Sequence, residues 1–223
     1  MRKITLPERI YICGADITIG LVLRDLGVYL DRSLTLDHHI ARICSMAFVY
    51  LRIIGRVRQS LTPTTRMTLI HALVVSRINF GACLLSGVKK ANITKLQSVL
   101  RASIRVAHGT KTCDIENEMR RNGWLTVENI IKFRLLCLAH KVCQTGLPKY
   151  LAELLLPYEP CRTLRSSLSH QLHVPAVTSM AGERGFSRVV PKLWNSLPLV
   201  IRSISQFDSF RKALHRHLTS HVT

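Results

Sequence analysis

Residues 37–56, DHHIARICSMAFVYLRIIGR, carry the pattern that decides the fold of this chain. Apolar side chains recur there at steps of three and four residues, which is the spacing of one face of an α-helix. Asp37 stands where it can cap the first turn, and Arg42, Arg52 and Arg56 fall on the opposite side of the helical wheel. The pattern predicts a helix that packs through Ile40, Ile43, Cys44, Ala47, Phe48, Leu51 and Ile54.

Helical patterns of the same kind continue along the chain. Thr62 and Pro63 mark the start of a second helix, because proline is tolerated at the first helical position. A third pattern spans roughly residues 92–107, and a fourth begins with a cap at Thr126 and ends near residue 144. A last helix follows a cap at Ser205. Together these patterns predict a mainly α fold.

The N-terminal segment has a different pattern. Residues 9–13, 17–23 and 26–30 have the β-branched and aromatic content that is typical of strands, and we expect a small antiparallel sheet there. The predicted organisation is a β segment at 1–36, a basic helical bundle at 37–109, a polar linker at 110–125 and an irregular helical C-terminal region at 126–223.

The charge of the chain indicates a class of partner. Lys and Arg total 32 against 13 Asp and Glu, a net charge of +19, and the pI is about 10.4. Residues 38–110 contain no acid at all, although solvated helix faces usually mix both signs because like charges one turn apart repel. We interpret the stretch as a surface for a polyanion, held through its phosphate backbone without sequence preference. An anionic membrane surface or an acidic assembly would also attract it.

Two groups of basic residues are candidates for contacts with nucleic acid. The first belongs to the helical bundle and comprises Arg52, Arg56, Arg58, Arg66, Lys89, Lys90, Lys95, Arg101 and Arg105. The second lies among serines, as phosphate contacts often do, and comprises Arg162, Arg165, Arg184 and Arg188. A loop that arginine–carbonyl bonds tie down explains the second group equally well.

Short motifs in a fixed order connect these segments. They are Leu26-Gly27-Val28 with Leu30-Asp31, Leu61-Thr62-Pro63, Ser76-Arg77-Ile78-Asn79-Phe80, Leu164-Arg165-Ser166-Ser167 and Pro191-Lys192-Leu193-Trp194-Asn195-Ser196-Leu197-Pro198. Each motif alone is weak. In this order they resemble the C-terminal part of LINE-type (non-long-terminal-repeat) retrotransposon reverse transcriptases of the jockey-like group, over roughly residues 22–218.

The resemblance implies a role for each segment. Residues 1–36 resemble the end of the polymerase palm, and 37–109 resemble the thumb that grips the template–primer duplex of RNA and DNA. The family polymerises with a strand that carries an aromatic residue, one variable residue and two adjacent aspartates, and this chain has no Asp-Asp. The resemblance therefore implies a fragment of an RNA-directed DNA polymerase that holds nucleic acid without catalysis of its own. Mg²⁺ is expected only in a complete parent polymerase, whose upstream portion is a candidate partner.

Other chemistry is not expected. Cys137, His140 and Cys143 are spaced by three but drift around a helix, whereas a structural zinc site needs four converging ligands. Gly-x-Ser-x-Gly elbows and Gly-rich phosphate loops do not occur. We predict no catalytic residue, no metal site, no cofactor and no small-molecule substrate. Trp194 could stack on a base, but its apolar neighbours favour a packed anchor.

The remaining expectations concern compartment and alternative function. The seven cysteines include no Cys-x-x-Cys, which indicates reduced thiols and a nuclear or cytoplasmic location. The pattern predicts neither a signal peptide nor a membrane span, and no membrane partner. One alternative function is a protein–protein interaction module that uses the apolar faces. Another is a non-functional remnant of a decayed element.

Overall fold

The computed structural model describes residues 9–18, 20–109, 114–158 and 170–220, which form the predicted mainly α fold. The strands are β1 (Arg9–Ile12), β2 (Ala15–Thr18), β3 (Val22–Asp25) and β4 (Val28–Asp31). The α-helices are α1 (Asp37–Val57), α2 (Pro63–Ile70), α3 (Ser76–Asn79), α4 (Lys90–His108), α5 (Ile115–Arg121), α6 (Val127–Thr145), α7 (Lys149–Ala152), α8 (Met180–Glu183), α9 (Phe186–Asn195), α10 (Leu199–Arg202) and α11 (Phe207–Ser220). Arg58–Ser60 and Ala82–Leu85 are 3₁₀ turns, and His71–Val75 is a π turn.

Helix α1 buries most of the face that its pattern predicts. Its buried apolar residues are Ile40, Ile43, Ala47, Leu51 and Ile54. Phe48 is an exception, because 43% of its surface is exposed. It lies at the edge of the apolar stripe, about 100° around the helix from Ala47.

The start of α1 differs from the prediction. Asp37 is the first helical residue and not the cap, since the preceding Leu36 has a φ of 58° and makes no capping bond. The Asp37 carboxylate instead accepts hydrogen bonds from the side chains of Asn92 and Lys89 at the start of α4, the latter at 3.2 Å. These bonds hold the two N-termini side by side. Since α1 and α4 also pack together, they run parallel and end at the same end of the bundle.

The second predicted helix begins as expected. The Thr62 hydroxyl accepts a hydrogen bond from the Thr65 amide at 3.2 Å, and Pro63 takes the first helical position. The π turn joins α2 to α3 without a break in the helix. The buried side chains of this continuous helix include Ile70, Val74 and Ile78.

Helix α6 forms the centre of the C-terminal half. The Thr126 hydroxyl caps it by accepting from the Asn129 amide at 3.3 Å. It begins beside Gln97 in the middle of α4, whose side-chain oxygen accepts from the Val127 amide at 2.9 Å, and it runs toward the Ala82–Leu85 turn. Helices α4, α9 and α11 all pack on it. This surrounding explains why buried residues occur on nearly every side of α6.

The predicted linker contributes to the same core. Its residues 110–113 lie outside the described part, and the rest includes α5, which packs on α4. Met119 is buried on α5, and Trp124 and Leu125 are buried just after it. One hydrophobic cluster therefore extends from the start of β4 to α11 across the predicted linker.

The N-terminal strands pair antiparallel, but in two separate two-stranded sheets and not in one. β1 pairs with β2, and β3 pairs with β4. Tyr11 is 74% exposed and Leu23 is 65% exposed, so both outer strands are covered poorly. On β4, Val28 is buried and Leu30 is partly buried, and through these two side chains the second hairpin packs on the core.

The C-terminal region is irregular and helical, as its sequence indicates. Around Leu172 the chain forms only an isolated bridge to Pro157. Pro191 does not interrupt the structure, because it lies inside α9 and is buried. Within the described residues, no helix is both long enough and apolar enough to cross a membrane.

Candidate nucleic-acid interface

The C-terminal ends of α1 and α4 bring several predicted arginines to one end of the bundle. Arg52 and Arg56 occupy the last turns of α1, Arg58 opens the following 3₁₀ turn, and Arg105 lies in the last turn of α4. Arg66 on α2 points to the same end, since its guanidinium Nη1 lies 3.4 Å from the position that a Cβ of Gly109 would occupy. We call these five arginines the basic end.

The electrostatics of the basic end favour an external anion. No ion pair joins any of its five arginines to a carboxylate within the described chain. The Nε of Arg66 is buried and has no hydrogen-bond partner among the described residues. Arg56 and Arg105 also stand where the partial negative charge of a helix C-terminus stabilises a cation. That local effect accounts for part of the clustering, but it does not neutralise the net positive charge.

Two of the predicted basic residues at and on α4 have acidic partners in the fold. Lys89 pairs with Asp37 at 3.2 Å, and Arg101 pairs with Glu116 at 3.8 Å. Both acids lie outside residues 38–110 in the sequence, and only folding places Asp37 beside Lys89 and Glu116 beside Arg101. Lys90 and Lys95 are exposed on α4 and make no ion pair with a described carboxylate. The structure therefore leaves the five arginines of the basic end without a described carboxylate partner, while Glu118 lies 3.2 Å from His108 in the last turn of α4.

The second predicted arginine group has internal partners where the structure describes it. Arg188 donates to the Pro175 carbonyl and pairs with Glu183 at 3.2 Å. The side chain of Arg184 lies over Gly87, where an added Cβ would come within 2.6 Å of its Cγ. Such contacts are expected when arginines anchor a loop by bonds within the protein, which is the alternative to phosphate contacts. Arg162 and Arg165 lie outside the described residues.

A groove that the sequence did not suggest lies between α6, α11 and the α2–α3 helix. Its floor is a cavity of about 160 Å³, which Trp124, His71, Phe133 and His215 help to line. Two open depressions of about 450 and 460 Å³ adjoin it and share Arg134 between them. We call these three adjoining spaces the α6–α11 groove.

Cations line the α6–α11 groove. Arg134 comes from α6, and Arg211, Lys212 and Arg216 come from α11. Among the described residues no carboxylate lines any of the three spaces. Arg134 donates to the Asn79 side chain at 3.4 Å. Asp208 on α11 pairs with Arg211 at 3.6 Å.

The sequence does not reveal this groove, because the residues that line it come from segments that are far apart along the chain. The one local signal was the spacing of bases along α11, where positions 211, 212 and 216 lie on neighbouring faces of one helix. His215 on α11 also lines this groove. In the fold it packs edge-on against Phe133, with ring centres 5.8 Å apart.

The candidate metal ligands do not converge among the described residues. His140 is buried in an aromatic cluster, stacked on Phe210 at 4.1 Å between ring centres, and its Nε2 lies 2.7 Å from the Ile204 carbonyl. Burial raises the pKa of the Cys137 thiol to about 11, because desolvation penalises the thiolate. This thiol therefore behaves as a small apolar group at neutral pH.

Trp194 is a packed anchor, as its neighbours indicate. It is 4% exposed, stacks on Phe210 and donates its indole N–H to the His170 carbonyl at 2.8 Å. The adjacent Asn195 bonds both backbone groups of Leu172, at 2.9 and 2.8 Å. This motif therefore fixes the returning chain and leaves no ring face for a base.

Two other motifs contact each other. A Cβ at Gly27, where φ is 90°, would lie 3.5 Å from the Phe80 ring, and Val28 lies equally close to Gly81. Asp31 closes the same region, because its carboxylate accepts from the amides of Ser33, Thr35 and Leu36. The first and third motifs thus attach the second hairpin to the helical bundle.

Comparison of the chain with family models, with curated proteins and with solved structures gives no match in any of the three.

Proposed function

We propose that this chain holds the backbone of RNA or DNA duplexes through its basic end, as the thumb and downstream part of a LINE-type reverse transcriptase, without polymerising on its own. The observation that carries the proposal is the basic end itself. Five arginines from α1, the following turn, α2 and α4 meet at one end of a parallel helix pair, and none pairs with a described carboxylate. The order of the motifs supports the choice of family.

The physical reasoning concerns self-repulsion. A chain with a net charge of +19 gains stability when a polyanion neutralises it. Each arginine that meets a phosphate releases a condensed counterion, so the affinity falls steeply as salt rises. A surface made of helix ends contacts the phosphates of a duplex, so it responds to the shape and charge of the duplex and not to its base sequence. We therefore expect similar affinities for duplexes of different sequence.

The experiment measures the binding of a labelled RNA–DNA duplex by fluorescence anisotropy at several salt concentrations. The variant replaces Arg56 and Arg105 together by Gln. We expect the slope of log affinity against log salt to become shallower by about 2, because each lost phosphate contact removes about one unit. An unchanged slope would show that the basic end does not carry the binding.

A charge-matched control replaces Arg24 and Lys149 by Gln. Arg24 lies over Tyr29, which packs near His38 at the start of α1, so it is at the opposite end of the bundle. Lys149 opens α7, beyond the end of α6 that runs toward Ala82–Leu85. This control has the same net charge as the test variant. A loss of slope equal to that of the test variant would mean that only net charge matters.

A protein–protein interaction module is the second candidate, and exposed apolar residues favour it. Val49 and Ile53 on α1 are 42% and 50% exposed and lie one turn apart. Leu21 and Leu26 of the second hairpin are 77% and 88% exposed. Binding through such faces changes little with salt, whereas binding through phosphates weakens. The salt series above therefore separates the two functions for any ligand that binds.

A further inference from the structure

We propose that the α6–α11 groove binds single-stranded nucleic acid, with one base in the cavity beside Trp124 and the adjoining phosphates on Arg134, Arg211, Lys212 and Arg216. The proposal rests on the proposed function only for the class of ligand. None of these residues belongs to the basic end. The two surfaces can therefore succeed or fail separately.

The size and lining of the cavity fit one aromatic ring. Its volume is about 160 Å³, and an apolar cavity of roughly 150 Å³ is known to accommodate benzene. Phe133 and the His71 ring supply flat faces, and His71 packs edge-on against Trp124 at 4.9 Å between ring centres. A recess of this size accepts one unstacked base, which a continuous duplex does not present.

Polar groups at the cavity have unused hydrogen-bonding capacity. The indole Nε1 of Trp124 is buried and has no partner among the described residues, and such a donor gains free energy when it finds an acceptor. Burial lowers the pKa of His71, so its ring is neutral at pH 7 and offers one donor and one acceptor. The edge of a pyrimidine carries the complementary carbonyl and N–H groups.

The charges at the mouth match a chain of phosphates. Arg211, Lys212 and Arg216 occupy one side of α11, and Arg134 faces them from α6 across the space of about 450 Å³. In the described chain only Asp208 neutralises part of this charge, through Arg211 at 3.6 Å. A backbone that follows the groove would meet successive cations while one base enters the cavity, which is how sequence-tolerant single-strand sites are built.

The first test uses the fluorescence of Trp124. The chain has two tryptophans, and the Trp194→Phe variant leaves Trp124 as the only one. We expect an oligothymidylate of about eight nucleotides to quench its emission, because a stacked or bonded base perturbs the indole. Thymidine monophosphate should bind at least about tenfold more weakly, since it brings only one phosphate to the cations. Equal affinity for the monophosphate, or no change in emission, would overturn the proposal.

The second test does not depend on the folding of the tryptophan variant. Arg211→Gln with Arg216→Gln removes two exposed cations from α11, and anisotropy follows a labelled oligothymidylate. We expect the salt slope for the single strand to fall by about 1.4, at about 0.7 for each phosphate contact. Duplex binding that depends on the basic end should not change. The Arg56→Gln, Arg105→Gln variant is the matched control and should lose duplex slope while it keeps the Trp124 signal.

The two proposals remain distinguishable in this crossed design. If both variants keep duplex binding and single-strand binding depends on Arg211 and Arg216, only the proposal for the basic end is overturned. Single-strand binding that depends on Arg56 and Arg105, together with unchanged Trp124 emission, would overturn only the proposal for the α6–α11 groove.

Discussion

The second hairpin and helix α11 lie near opposite ends of the described chain, and they attach to the helical bundle to different extents. In β3–β4 only Val28 is fully buried, while Leu23 and Leu26 are exposed. Helix α11 buries Phe210, Leu214 and Leu218 against α6. The hairpin is held mainly by its turns and by Asp31, whereas the helix is held by its apolar stripe.

The difference reflects the geometry of the two kinds of element. A long amphipathic helix presents one continuous stripe, and a single partner helix can bury it completely. A two-stranded hairpin has two faces and two edges, and it needs at least one further strand or helix to cover them. The comparison predicts that stability is concentrated in the α6–α11 region and is low in the hairpins. Three substitutions and one matched control test this gradient.

The largest effect is expected for Phe210→Ala. Phe210 is fully buried and stacks on both His140 and Trp194, so its removal leaves a cavity that neighbouring rings cannot fill. We expect a loss of about 3–5 kcal/mol in the free energy of unfolding. Urea denaturation followed by circular dichroism measures it.

The matched control is Phe48→Ala, the same change at a side chain that is 43% exposed on α1. We expect the free energy of unfolding to fall by about 1 kcal/mol or less, because 43% of the Phe48 surface already contacts water. Equal losses at the two positions would contradict the gradient and place the stabilising core elsewhere.

An intermediate effect is expected for Asp31→Asn. The carboxylate accepts hydrogen bonds from the amides of Ser33, Thr35 and Leu36, and the amide side chain of Asn replaces one acceptor oxygen with a donor. We expect a loss of about 1–2 kcal/mol, in the range measured for side-chain caps. Chemical denaturation at pH 7 checks the value.

The same substitution has a predicted pH dependence. Desolvation acts to raise the pKa of Asp31, but hydrogen bonds from Thr35, Leu36 and Ser33 outweigh it and lower the pKa. A carboxyl with a depressed pKa contributes stability above its unfolded pKa of about 3.9 and loses it as pH falls through the folded value. The gap between wild type and Asp31→Asn should therefore be constant from pH 7 to about pH 5 and close below it. A gap that widens in acid would refute this role of Asp31.

The smallest effect is expected for Tyr11→Ser in the first hairpin. Tyr11 is 74% exposed, and its strand contributes no buried residue. We expect a change within about 0.5 kcal/mol. Native-state hydrogen exchange should also show weak protection for β1 and β2 and strong protection for α6, because protection follows local stability. Strong protection of β1 would mean that the hairpin is covered in solution.

Local signals predicted much of the helical structure. The hydroxyl caps at Thr62 and Thr126 are where the sequence placed them. Such signals act within one helical turn, so a short window contains all the information they need. Asp37 was assigned wrongly for the same reason, since its partners on α4 lie more than fifty residues away.

The candidate interface, too, could be predicted from the sequence only in part. The excess of arginine and the absence of acids from 38–110 were visible in the sequence and predicted a basic helical surface. Which of those bases stay unpaired was not visible, because Asp37 and Glu116 reach Lys89 and Arg101 only in the fold. The predicted linker was misleading in a similar way, since Trp124 is buried by contacts with residues far from it in sequence.

The sequence by itself determined most of the helices, the hydroxyl caps at Thr62 and Thr126, the net charge of +19 and the order of the motifs on which the proposed family rests. These properties depend on composition and on neighbours within a few residues. Only the tertiary structure decided that α1 and α4 run parallel, that five arginines share one end, and that a cavity beside Trp124 opens into a groove lined by α6 and α11. Those features depend on contacts between distant segments, and such contacts form only when apolar faces find their partners on folding.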